Sequence, residues 1–160
     1  MTRLDSTDAR ILLALDDEPE ATTLTLSQKL GLARNTIHAR LSKLSERGLM
    51  GKPSRRVDAV SLGYSLLAFM TLSTTQSAPS SITRALEQIP EVLEVHAITG
   101  DGDLLARVVA IDAADLYRLT TQILTIDGVA RASTTLAMVE IVPSRMGPLL
   151  QRHASKSITQ

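Results

Sequence analysis

The fold of this chain is decided by residues 26–50, LSQKLGLARNTIHARLSKLSERGLM. Thr22 is placed to cap a helix whose Leu24, Leu26 and Leu30 point inward, and Gly31 stops it. Leu32 and Ala33 make a tight turn. A further helix then runs from about Arg34 to Arg47 and ends at Gly48, in the glycine position that follows a helix C-terminus. Two helices joined by a few residues containing Gly form a helix-turn-helix.

On a 100° wheel, Ile37, Leu41 and Leu44 cluster as the buried stripe of that last helix. Opposite them lie Asn35, His38, Ala39 and Ser42, while Thr36, Arg40, Lys43 and Arg47 form one flank. Short polar side chains that reach base edges, small residues that permit close approach, and a basic flank aimed at phosphates are what a recognition helix requires. Asn35 and His38 are the candidate base readers, with Arg34 able to reach a base or a phosphate. Lys52, Arg55 and Arg56 follow the helix and are candidate backbone contacts from an adjoining loop or short strand.

N-terminal to this block, Leu4-Asp5-Ser6-Thr7-Asp8 reads as a helix start, with Asp5 as N-cap and Asp8 three residues on. Ile11, Leu12 and Leu15 continue it as an apolar stripe. Asp16 to Ala21, with Pro19 and four acids, is expected to be a loop.

The whole chain has 160 residues and a formal net charge of zero, which taken alone points away from nucleic acid. Its distribution says otherwise. Residues 1–28 carry two bases against six acids, a net of −4; residues 29–56 carry eight bases against Glu46, a net of +7; residues 57–160 carry seven bases against ten acids, a net of −3. The positive block coincides with the helix-turn-helix. Aromatic residues make up 2% of the chain, so stacking on Phe, Tyr or Trp is excluded as the main recognition device. Cysteine is absent, which excludes a disulfide scaffold, thiolate metal sites and a Cys nucleophile. His38, His96 and His153 show no ligand spacing, so neither metal nor cofactor is expected. The first eight residues lack the apolar run of a signal peptide, and no stretch reaches the roughly 18 apolar residues of a membrane span. A soluble cytoplasmic protein is the expectation.

After residue 65 the periodicity turns strand-like. Leu66 to Thr74 reads as a strand, and Pro79-Ser80-Ser81 opens a helix with Ile82, Ala85, Leu86 and Ile89 inward. Glu91 to Ile98 and Leu104 to Ile111 are strands joined by a hairpin turn at Gly100-Asp101-Gly102-Asp103, where Asp-Gly supplies positive φ. Asp112, with Asp115 three residues later, caps a helix carrying Leu116, Leu119, Ile123 and Leu124 and ending at Asp127-Gly128. Val129 to Val142 is the last strand, and Pro143 to Gln160 reads as a poorly ordered tail. The expected fold class is therefore α+β: a three-helix helix-turn-helix domain over 1–51, a linker over 52–65, and a βαββαβ ferredoxin-like sandwich over 66–142. Its helices cover one sheet face, so the other needs a cover, and dimerisation is the expected one. His96 precedes the turn on a strand and reads as a half-buried histidine before it reads as a ligand contact.

Taken in order, LDSTDARILLAL (4–15), residues 26–50, SLG (61–63) and HAITGDGDLLARV (96–108) resemble the leucine-responsive/AsnC, or feast/famine, family of transcriptional regulators. The resemblance covers roughly residues 4–142. It departs from the family pattern at Ala33, where a capping Ser is usual, at the acidic loop with Pro19, and at Lys52, where Tyr is common. The resemblance implies a winged helix-turn-helix that binds double-stranded DNA, and a second domain that assembles subunits and binds a small effector, an amino acid, between them. Its matching effector positions are Thr99, Gly100, Asp101, Gly102, Asp103 and Leu104, joined by Thr134 and Thr135 of a neighbouring subunit. Backbone N–H groups of a Gly-rich turn suit a carboxylate, and Asp101 or Asp103 suits an ammonium group. Structurally, the same Gly-Asp-Gly-Asp segment is explained in full as a tight turn. It is neither a phosphate loop nor a calcium loop, because no Lys-Ser/Thr helix follows and it is too short.

The expected function is thus a non-enzymatic, sequence-specific DNA-binding regulator, at least dimeric, that responds to a small effector. Two alternatives remain open: an enzyme like the siroheme decarboxylases, which resemble this architecture, and a DNA-binding protein whose second domain only oligomerises.

Overall fold

The structure, a computed structural model, describes residues 4–75 and 80–155. The described residues divide into two compact units: those of 4–56 together with 142–155, and those of 57–141.

In the first unit, α1 (Ser6–Asp17) starts in a full capping box: the Asp5 carboxylate accepts from the Asp8 N–H at 2.9 Å, and that of Asp8 accepts from the Asp5 N–H at 3.1 Å. Helix α2 (Thr23–Leu30) is capped by Thr22, whose hydroxyl accepts from the Thr25 N–H, and it closes at Gly31. Helix α3 (Arg34–Glu46) follows after three residues. Ile11, Ala14, Leu26 and Ile37 form the buried centre of this unit, with Leu15, Leu30 and Leu41 packed around it. Three details differ from expectation. Helix α1 runs on through Asp16 and Asp17, so the acidic loop begins only at Glu18; Leu24 faces solvent, because the short α2 buries only Leu26 fully. Residues Pro53–Arg56 form a 3-10 turn where a loop or short strand was expected.

The second unit carries the βαββαβ order: β1 (Leu66–Thr74), α4 (Ser80–Glu87), β2 (Val92–Ala97), β3 (Leu104–Ala110), α5 (Ala113–Leu124) and β4 (Val129–Ala137). Its strands lie in the order β2-β3-β1-β4, every neighbouring pair antiparallel. Ala68, Met70 and Leu72 of β1, with Ala106 and Val108 of β3, point to one face and meet Ile82, Leu86, Leu119 and Ile123 of the two helices. Leu67, Phe69 and Thr71 alternate to the other face, beside Arg107 and Glu94, which lie 3.4 Å apart. Asp112 caps α5 by accepting from the Asp115 N–H at 2.8 Å, and the Asp115 carboxylate accepts from the Ile111 N–H at 3.1 Å. Leu124, expected inward, is exposed. Pro79 lies outside the described residues.

Strand β4 stops at Ala137, five residues short of the expected end. Its partner β1 pairs Leu67 with Ala137 and has almost run out there, so Met138, Val139, Ile141 and Val142 have no ladder to join and are exposed. The segment expected to be a poorly ordered tail forms a helix, α6 (Gly147–Ser155), which packs on α1 within the first unit. Pro148 sits in the first turn, where its missing N–H costs nothing, and Leu150, His153 and Ala154 make a half-buried stripe. The last five residues lie outside those described.

Candidate nucleic-acid interface and effector loop

Helix α3 buries Ile37 and Leu44 and leaves Arg34, Asn35, Thr36, His38, Ala39, Lys43 and Arg47 exposed. Thus the short polar pair and, Arg40 apart, its flank sit on the surface that the wheel assigns them. Ser42 is half-buried and lines a shallow groove with Leu15, Leu41, Ser45, Glu46 and Met50. Lys52 and Arg56 are exposed beyond the helix; Arg55 belongs to the same turn, its side chain outside those described.

Arg40 is placed differently from its flank neighbours. It is half-buried, and its Nη1 donates to Asp8 Oδ1 at 2.8 Å and to the Asp5 carboxylate. The hydrogen bonds to Asp5 and Asp8 raise the pKa of the guanidinium further. For Asp5, partial burial opposes ionisation, but the Arg40 bond and the Asp8 N–H outweigh it and hold the carboxyl below the usual range. Lys29 is drawn in the same way towards Asp17, at 3.4 Å, and Glu18, at 3.9 Å. Two of the eight bases in the positive block therefore face acids of their own unit, and the charge presented outwards is smaller than the sequence total. Sequence spacing gives no signal for this, because Arg40 and Asp5 are 35 residues apart.

In the second unit, the turn from β2 to β3 brings Thr99 to Asp103 to the surface. The Ile98 N–H donates to the Asp103 carbonyl at 3.0 Å, and the Asp103 N–H donates to the Leu72 carbonyl at 2.9 Å, which ties the loop to β1. The Asp103 carboxylate accepts from the Thr74 N–H at 2.6 Å and from its hydroxyl at 3.0 Å; these bonds, the backbone one foremost, keep its pKa low. Asp101 is exposed at the tip. Positive φ falls at Gly100, 122°, and not at Gly102 as the Asp-Gly reading supposed. Leu104, expected in the effector set, is buried: it opens β3 and its side chain joins the core. Thr134 pairs with the core-facing Met70 and Thr135 with Phe69, so the two threonines point to opposite faces of β4. His96 is exposed, its Nε2 3.4 Å from Glu94, rather than half-buried. Among the described residues no group of His and carboxylate side chains is arranged to hold a metal ion.

Residues 4–49 match the winged helix-turn-helix DNA-binding domain, and residues 67–146 match the Lrp/AsnC ligand binding domain. The chain belongs to the Lrp/AsnC family. It is a DNA-binding transcriptional regulator of that family. The HTH-type transcriptional regulator FL11 of Pyrococcus horikoshii is 32% identical over 84% of this chain and 89% of its own. The regulator AldR of Mycolicibacterium smegmatis is 31% identical over 83% of this chain and 80% of its own. Among solved Lrp/AsnC-type structures, E. coli AsnC superposes with a TM-score of 0.83, covering 92% of this chain and all of its own at 23% identity, a likeness of fold. A feast or famine regulatory protein of M. tuberculosis, complexed with L-methionine, superposes with a TM-score of 0.79 at 26% identity, covering 90% and 98% of the two chains. No helix among the described residues is long and apolar enough to cross a membrane.

Proposed function

We propose that this Lrp/AsnC regulator reads a specific duplex as a dimer through the exposed face of α3, and that an amino acid bound at its second unit shifts that binding. The observation that carries the reading is the exposure of Asn35, His38 and the small Ala39 on one side of a helix whose other side is anchored by buried Ile37 and Leu44. Asn35 and His38 contact base edges. Arg34, Thr36, Lys43, Arg47, Lys52, Arg55 and Arg56 contact phosphates, with Ser42 at the margin of the interface. Pairing two subunits sets two recognition helices about one helical turn apart, roughly 34 Å, and multiplies a weak single contact. The exposure of Phe69, on the sheet face away from the two helices, supports pairing through that face.

For the effector, the supporting chemistry is at the turn. Thr99, Gly100 and Gly102 offer backbone to a carboxylate, and Asp101 offers its own carboxylate to an ammonium group. Asp103 shapes the loop through Thr74, and Leu104 contributes backbone alone. Thr135 or Thr134 of a neighbouring subunit completes the site, one for each sheet face. The M. tuberculosis neighbour holding L-methionine supports the class of ligand.

The test compares a duplex selected by the wild-type protein from a random pool with an unselected duplex of equal length. Asn35→Ala and His38→Ala are each expected to cost about 1–3 kcal/mol on the selected duplex and little on the other. Equal losses on both would remove the base-reading assignment. A siroheme-dependent absorbance band with no duplex retention would favour the enzyme instead.

A further inference from the structure

The first turn of α1 is held from two sides. From α3, Arg40 reaches the Asp5 and Asp8 carboxylates, which are themselves locked in the capping box. From α6, the His153 Nε2 lies 2.5 Å from the Leu4 carbonyl oxygen, and since a carbonyl only accepts, the imidazole donates. Leu4 and Asp5 are adjacent, so both grips close on one short stretch of chain, one at a backbone carbonyl and the other at two side-chain carboxylates. Helix α6 returns to this unit after the chain has built all of the second, which is therefore connected to the first at both of its ends.

We propose that this turn is a junction through which α6 holds α3 at its working angle, with Arg40 as a positioning residue and not a phosphate contact. The geometry requires this division. A guanidinium already bonded to two carboxylates would have to give up both bonds to reach a phosphate, whereas exposed Lys43 and Arg47 on the same flank give up nothing comparable. Base readout tolerates little rotation of the helix that carries it, while phosphate attraction is long-ranged and forgiving. Loosening the junction therefore removes specificity and leaves non-specific affinity. The proposal rests on the reading of α3 as the recognition helix.

Full-length variants are titrated by fluorescence anisotropy with the selected and the unselected duplex across a range of salt concentrations. Arg40→Met is expected to weaken the selected duplex about tenfold, with the unselected duplex within about twofold of wild type and the salt slope unchanged. His153→Ala is expected to act in the same direction by about threefold, His153→Gln to restore binding by keeping a donor, and the Arg40→Met/His153→Ala pair to lose less than the product of the two. Lys43→Ala, a phosphate contact in this scheme, lowers both affinities and reduces the salt slope by about one. If Arg40→Met behaves like Lys43→Ala, Arg40 is a phosphate contact and the proposal fails. Should Arg40→Met not fold, the His153 pair decides alone: wild-type specificity in His153→Ala overturns the role of α6. A wild-type protein that retains neither duplex overturns the DNA reading itself, whereas selective wild-type binding with unaltered variants overturns only the junction.

Discussion

A methyl group added at position 102 would lie 2.4 Å from Thr71 Cγ2 and 3.1 Å from the Leu72 carbonyl oxygen, so glycine is required there by the approach of β1. At position 100 the added methyl meets nothing within 4 Å, and the cost is the strained φ of 122°. Gly102→Ala is therefore expected to destabilise by about 1–3 kcal/mol through crowding, and Gly100→Ala by about 1 kcal/mol through backbone strain. Urea unfolding midpoints measure both. An unaltered Gly102→Ala would show that the loop yields freely and is not held against β1. The sequence announces a tight turn at these residues but not which glycine does what, because that is decided by a strand some thirty residues earlier. Arg40 is a second case of the same kind: the wheel groups it with an exposed basic flank, the fold half-buries it against Asp5 and Asp8, and those partners are invisible to spacing.

At the scale of elements, local chemistry was most legible where caps and stripes coincide. Asp5, Thr22 and Asp112 all cap the helices they precede, and β1 occupies the whole of its expected span. The errors fall at ends that a neighbour decides, such as β4, which stops where β1 does. Helix α6 escaped because its apolar stripe is short and gains its meaning only against α1. Ala33, by contrast, is a defect read from sequence that persists in the structure. It holds the N-cap position of α3 at φ −62° and ψ 143° and makes no side-chain cap bond. Ala33→Ser is expected to supply that bond and stabilise the protein by about 0.5–2 kcal/mol, read from the urea midpoint. A lower midpoint would mean that the turn before α3 cannot accommodate the hydroxyl.

At the scale of the molecule, neutrality is a sum of opposed regions, and the structure spends part of the positive block inside its own unit. That arrangement has an acid signature. Asp5, Asp103 and Asp115 all have pKa values lowered in the folded protein: Asp5 chiefly by Arg40 against its partial burial, Asp103 by the Thr74 N–H, and Asp115 by the Ile111 N–H and then Arg118. A depressed carboxylate binds fewer protons folded than unfolded, so its stabilisation is complete above the unfolded value of about 3.9 and is lost as pH falls through the folded value. Urea midpoints are expected to hold between pH 7 and 5 and to drop below about pH 4. A midpoint that rises on acidification would contradict these assignments.

The regulatory claim concerns both units together. An effector alters DNA affinity only if it favours one assembly or orientation over another. The direct measurement is the affinity of the full-length protein for its selected duplex, in turn with each of the twenty amino acids and with none. At least one amino acid is expected to shift the dissociation constant by about five-fold or more, and Asp101→Ala to abolish the shift with unliganded affinity unaltered. Selective duplex binding that no amino acid changes would contradict the account and leave the second unit an assembly domain alone.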